Sequence, residues 1–358
     1  MPEDKMFYHC RHCPGKILAQ KGGSAMSLIE ALYYETREDQ QVRCRLCPHH
    51  CLIDVGASGI CQVRSNRGGQ LYTENYGAIA ALALDPVEKK PLYHFYPGRQ
   101  ILSAGTWGCN FACPFCQNYH LAHEKAATRE IMPEQLVRMA VEAGQQDSIG
   151  IAFTYNEPTI WFEYVLETAR LLQEEGLKAV LVTNGFIDPE PLNEILPFID
   201  AANIDLKAFR EDFYRRICKG RLQEVKDSIV AMAGKIHVEL THLLIPGEND
   251  DPAETEAMAA WIAGIDPLIP LHLSRYHPAY KMEKPATEFS AMAKARDILH
   301  QYLKFVYLGN LPGISNDTPC IECGQPLIQR SSYRTKIGGI KKGRCEYCGA
   351  HNDHIKGI

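Results

Sequence analysis

Seven short apolar runs recur through the middle of the chain: ILSAGT from Ile101, IGIAFT from Ile149, KAVLVT from Lys178, ANIDL from Ala202, HVELTHLL from His237, PLHLSRY from Pro270 and KFVYLG from Lys304. Most are nearly continuous in apolar character, as a strand covered on both faces requires, because neither face meets water. Between them the period lengthens. Trp161, Tyr164, Val165 and Leu172 recur at helical spacing until Gly176, while Asp251, Pro252 and Glu254 have the order of an N-cap, a first-turn proline and a capping box, closed by Gly264. Strand alternating with helix predicts a parallel sheet, since parallel neighbours need a crossover of helix length. Six or seven such units predict an α/β fold, a complete or partial (β/α) barrel of parallel strands, with a doubly wound open sheet as the competing arrangement.

Length and charge narrow the class without choosing it. The chain has 358 residues and a formal net charge of −5, enough length for one large domain with appendages and no general attraction to nucleic acid or anionic lipid. No apolar run approaches the ~20 residues of a membrane span, and the opening MPEDKMFYHC is charged where a secretory signal needs an apolar core. A cytoplasmic location is therefore expected. In a reducing compartment the 14 cysteines are read as free thiols or metal ligands rather than disulfides. They fall into groups that divide the chain into a Cys-rich N-terminal metal-binding subdomain over 1–97, a partial β/α barrel over 98–312 and a zinc ribbon over 313–358. LPGISNDTP, from Leu311 to Pro319, has the turn-rich composition of a linker before the ribbon. Cys218 stands outside every group.

The stretch GTWGCNFACPFCQNYH, from Gly105 to His120, follows the first predicted strand directly. Its cysteines therefore belong at a strand's carboxyl end, where β/α barrels carry their chemistry. Cys109, Cys113 and Cys116 form a C-x3-C-x2-C array, one thiolate short of the four that a structural zinc or a [4Fe–4S] cluster takes. Three readings are open: a zinc knuckle completed by His120 or His123, a set of buried thiols, or a cubane whose fourth iron is left to a ligand that is not protein.

A resemblance favours the cubane. The array, with the aromatic Phe115 immediately before its last cysteine, is similar to the signature of the radical S-adenosylmethionine superfamily. That resemblance implies a [4Fe–4S] cluster on the three cysteines, S-adenosylmethionine chelated at the open iron, and an oxidoreductase that generates a 5′-deoxyadenosyl radical. Four later stretches, YNEP from Tyr155, TNG from Thr183, DLK from Asp205 and RYHP from Arg275, resemble the cofactor-holding elements of the glycyl-radical-enzyme activases, typified by the pyruvate formate-lyase activating enzyme. On this likeness Glu157 accepts from the methionyl ammonium, Thr183 and Asn184 line the cofactor, Asp205 and Lys207 hold its polar parts, and His277 adds a further contact. Phe115 packs on the adenine and Asn118 assists at the ribose. YNEP lacks the two glycines of the activases' GGEP, and Val182 stands where some activases have the aspartate of a monovalent-cation site. DPVEKKPLYHFYPG from Asp85, CPHHC, YNEP and the terminal ribbon together resemble the radical member of the AmmeMemoRadiSam system.

The flanking cysteines point to further metal. Cys44, Cys47, Cys51 and Cys61 supply four sulfurs within eighteen residues, enough for either a zinc staple or an auxiliary iron–sulfur cluster. Cys10 and Cys13 make a half-site, completed by His9, His12 or another segment, or remain free thiols. Two C-x2-C-G knuckles, from Cys320 and from Cys345, contribute Cys320, Cys323, Cys345 and Cys348 to the predicted zinc ribbon. The expected substrate is a protein glycine, with a small-molecule metabolite as the alternative and a non-catalytic zinc-ribbon module for nucleic acid or protein as the reading of another class. The expected partner is an electron donor such as flavodoxin or ferredoxin, with neither membrane nor nucleic acid among the partners.

Overall fold

The computed structural model describes residues 28–311, 313–331 and 333–358; the predicted half-site at Cys10 and Cys13 lies outside them. Eight strands form one sheet whose spatial order follows chain order: β1 (Ala81–Pro86), β2 (Gln100–Gly105), β3 (Ser148–Phe153), β4 (Lys178–Thr183), β5 (Ala201–Asp205), β6 (His237–Leu244), β7 (Leu271–Arg275) and β8 (Val306–Gly309). From β2 onward every pair is parallel, while β1 runs antiparallel along the outer edge of β2. No reversal of strand order exists in this sheet, which removes the doubly wound alternative. Because β1 and β8 do not pair with each other, the barrel is partial.

Helices α1 (Pro133–Ala143), α2 (Phe162–Glu174), α3 (Pro189–Ile195), α4 (Leu222–Ala233), α5 (Pro252–Ile265) and α6 (Phe289–Leu299) fill the crossovers. Asp251 caps α5 by accepting from Ala253 N at 3.3 Å. Glu254 is not its capping-box partner; its carboxylate instead accepts from Phe209 N at 2.7 Å and Arg210 Nε at 2.5 Å, joining α5 to the loop after β5. Among the described residues no helix is long and apolar enough to cross a membrane.

The amino ends of the strands are closed by the segment between β1 and β2 and by the ribbon. Glu239, on β6, is fully buried and accepts four hydrogen bonds, from the backbone N–H of Tyr93 (2.9 Å) and His94 (2.7 Å) and from Nε2 of His237 (3.0 Å) and His272 (2.6 Å). A carboxylate out of water needs this many donors. Burial alone would raise its pKa, but the imidazole hydrogen bonds hold it well below the ordinary glutamate value. The ribbon docks underneath, where Arg330 donates to Tyr93 O at 2.5 Å and Thr318 Oγ1 at 2.6 Å, and Lys356 N donates to His94 O at 2.7 Å. Its sulfurs converge: Cys320 and Cys348 lie 3.8 Å apart, Cys323 and Cys345 3.7 Å, and all four fall within 4.8 Å of one another. A tetrahedral ion with ~2.3 Å metal–sulfur bonds needs sulfurs about 3.8 Å apart, so these four could hold one.

Glu239→Ala, which strands two imidazoles and two backbone N–H groups, is expected to lower unfolding free energy by about 3–5 kcal/mol, read from the denaturant midpoint. In the wild type the depressed carboxylate stabilises the fold at any pH above the ordinary glutamate pKa of ~4.3. That contribution should fade as pH falls from there toward the lower folded value, and a midpoint that does not fall over that interval would contradict the assignment.

Candidate functional site

The three-cysteine loop leaves β2 at Gly105 and is pinned from the neighbouring strand end. Asn156 accepts from Thr106 N at 3.1 Å and donates to Gly108 O at 3.0 Å. Gly108 takes φ +95°, and a Cβ there would lie 2.7 Å from Val63 Cγ1 and 2.8 Å from Cys61 O, so only glycine allows the loop to pass the N-terminal subdomain. Beyond it Cys109 Sγ accepts from Phe111 N at 3.3 Å. Cys218, which the sequence left isolated, sits behind this loop: its carbonyl accepts from Ala112 N at 2.9 Å and its thiol lies beside Cys113.

Cys109, Cys113 and Cys116 open into one cavity of about 290 Å³ at the carboxyl ends of the strands. Phe115, Asn118, Glu157, Thr183, Asn184, Asp205 and Lys207 line the same space. Glu157 is 2% exposed. Its Oε1 accepts from Thr159 N (2.9 Å) and Thr183 Oγ1 (2.7 Å), and its Oε2 from Asn184 N (2.8 Å). One acceptor position on Oε2 is left over, since each carboxylate oxygen takes two donors. Asp205 and Lys207 pair at 2.9 Å, with the ammonium 5.8 Å from the centre of the Phe115 ring. Burial opposes the charge on Lys207, but Asp205, with Cys113 and Cys218 behind it, outweighs burial and raises its pKa. The cavity thus presents carboxylate acceptors for an ammonium or hydroxyls and an ammonium donor for a carboxylate, beside three thiols.

The turn that lacks the activase glycines still enters the backbone region that glycine favours. Tyr155 adopts φ +73°, a left-handed geometry costly for a bulky residue. Two anchors hold it: its hydroxyl donates to Asp85 Oδ2 at 2.8 Å, and Lys90 lies 4.7 Å from its ring centre while pairing with the same Asp85 at 2.9 Å. Its carbonyl accepts from Asn118 Nδ2 at 2.8 Å, so Asn118 is tied to this turn while it lines the cavity.

His277 is the predicted residue that the structure leaves outside the lining. It lies two residues past the end of β7, half-buried, whereas Ser274, on β7 itself, faces the cavity with Thr241 and Asn310. Of the two histidines of the zinc-knuckle reading, His120 is exposed, while His123 lines the same cavity with its ring stacked on Tyr280 at 5.4 Å. Cys44, Cys47, Cys51 and Cys61 line a second, smaller pocket on the other side of Asn110.

Residues 105–259 match the family model described as the radical SAM superfamily. The uncharacterized protein MJ0808 of Methanocaldococcus jannaschii is 39% identical over 336 residues, 91% of this chain and 99% of that protein. The protein of the same organism named "Putative glycyl-radical enzyme activating enzyme MJ1632" is 30% identical over 210 residues, 56% of this chain and 77% of its own length. The pyruvate formate-lyase-activating enzyme of Clostridium pasteurianum is 25% identical over 209 residues, 55% of this chain and 87% of its own.

Tyr155→Phe removes the hydroxyl anchor while keeping the ring, and should lower stability by about 1 kcal/mol. An unchanged denaturant midpoint would show that Asp85 does not hold this turn.

Proposed function

Because the chain belongs to the radical SAM superfamily, we propose that it holds a [4Fe–4S] cluster on Cys109, Cys113 and Cys116 and S-adenosylmethionine in the adjoining cavity. We further propose that it takes a hydrogen atom from a glycine of a partner protein. One observation carries the reading: three thiols open into a cavity that also presents Glu157, Asp205 and Lys207. The donor set fits, because a cubane held by three cysteines keeps one iron for a chelating small molecule. The glycine is supported by the names of the glycyl-radical-enzyme and pyruvate formate-lyase activating relatives.

Bound there, the reduced cluster and S-adenosylmethionine supply a 5′-deoxyadenosyl radical by one-electron cleavage of the sulfonium. The chain's own residues bind and orient. Glu157, fixed by three donors, keeps its remaining acceptor position for the methionyl ammonium. Lys207 counters the methionyl carboxylate, and Asp205 holds that ammonium side chain in place. Phe115 offers a ring for the adenine, and Asn118, held by the Tyr155 carbonyl, a polar edge for the ribose. Thr241, Ser274 and Asn310 make the far wall polar but uncharged, suited to a peptide backbone. No acid–base pair is needed, since a hydrogen atom moves with its electron. A low-potential donor such as flavodoxin or ferredoxin supplies the electron, and the ribbon cysteines hold zinc.

Cys113→Ala should abolish 5′-deoxyadenosine formation by anaerobically reconstituted protein while its circular dichroism stays unchanged; persistence of cleavage would remove the assignment. Lys207→Met should weaken S-adenosylmethionine binding by about 10–100-fold, as expected for loss of one charge-assisted contact, in equilibrium dialysis. A glycyl radical signal in a partner protein after turnover supports the substrate class, and deoxyadenosine formed without that signal in any candidate partner assigns the substrate to a small molecule.

A further inference from the structure

The radical site leaves four thiols unused. Cys44, Cys47, Cys51 and Cys61 line one pocket with the apolar Leu46, Ile53 and Ile160, and all but Cys51 are buried. Four thiols facing one apolar pocket suit a soft metal centre, and the question is which.

Spacing discriminates, and the chain supplies its own standard. The ribbon thiols have drawn together to within 4.8 Å, as one tetrahedral ion requires. Among the described residues neither the quartet nor the loop trio closes that far. A cubane presents its irons at separate corners and spreads its thiolates, so a wider arrangement suits a cluster rather than a single zinc.

A second, independent observation comes from Arg64, which is 1% exposed and lines the same pocket. Its Nη2 donates to Leu32 O and pairs with Glu163 at 3.1 Å, but Nε and Nη1 have no partner in the protein. A buried guanidinium with two unsatisfied N–H groups is costly unless an acceptor of opposite charge stands before it. Metal-bound thiolates and the inorganic sulfides of a cluster are such acceptors, whereas four neutral thiols supply no charge; Arg64 thus points to a bound metal centre, and the spacing to a cluster.

We propose that Cys44, Cys47, Cys51 and Cys61 hold a second [4Fe–4S] cluster, closed by four protein ligands, with Arg64 donating to its sulfur atoms. Asn110 separates it from the first: it lines this pocket, its carbonyl accepts from His49 Nε2 at 2.7 Å, and it is bonded directly to Cys109.

The test is a triple variant, Cys109→Ala, Cys113→Ala and Cys116→Ala, purified anaerobically and reconstituted with iron and sulfide. About four irons and four sulfides per chain, one zinc, and an electron paramagnetic resonance signal on reduction that disappears on adding Cys47→Ala would support the site. Two zincs and no iron would overturn it. If the triple variant does not fold, the wild type decides: about eight irons with one zinc supports the proposal, and about four irons with two zincs overturns it. Arg64→Met, which removes a positive charge, should shift the signal's midpoint potential downward; an unmoved potential would remove Arg64 from the site. Failure of the radical reading is distinguishable, because it would appear as absent 5′-deoxyadenosine from wild-type protein whatever the metal content here.

Discussion

A carboxylate buried at the carboxyl ends of β3 and β4 must find its donors within the protein, and the way Glu157 finds them fixes the geometry of the cavity. Two of its three donors, Thr183 and Asn184, lie at the end of β4 and just past it, and the third, Thr159, lies two residues beyond Glu157 itself. Glu157 therefore staples adjacent strand ends, and its neighbour Asn156 staples the third by gripping the start of the cysteine loop. Asn184 continues the chain, donating to Asn110 Oδ1 at 2.8 Å. Side chains that line the cavity are thus held by backbone and amide partners, which keeps their rotamers from depending on whether a ligand is present.

The two ends of the barrel are built on opposite principles. At the amino ends polar side chains are largely consumed: Glu239 takes two imidazoles and two backbone N–H groups, and Arg330 donates to Tyr93 O, closing the strands from below. At the carboxyl ends the polar groups are only partly satisfied. Glu157 keeps an acceptor position, and Asp205 and Lys207 face open space. This asymmetry is the usual division of labour in β/α barrels, with stability at one face and chemistry at the other.

Seven strands and the order of the motifs were legible because burial on both faces writes apolar runs, and strand ends punctuate them. β1 was not, because Ala81, Leu82, Ala83 and Leu84 lack the β-branched residues that mark a strand, and their pairing with β2 is a tertiary choice. It also lies within the segment read as the N-terminal subdomain. The left-handed turn at Tyr155 was illegible for a different reason: the residue type argues against that conformation, and the Asp85 and Lys90 that offset the cost stand some seventy positions earlier. Cys218 looked solitary for the same reason, since only folding brings it to Cys113. The cysteine quartet could be grouped by spacing, but the orphaned guanidinium beside it could not be foreseen, since only folding buries Arg64 against that pocket.

The ribbon under the strands closes their amino ends, and the cavity opens at their carboxyl ends. Under the proposed function, traffic over that mouth is sequential: a small cofactor is seated before a bulky guest leans over the threshold, and the spent fragment departs after that guest withdraws. Ordered kinetics follow from the proposal, with the larger visitor serving as its own lid against water.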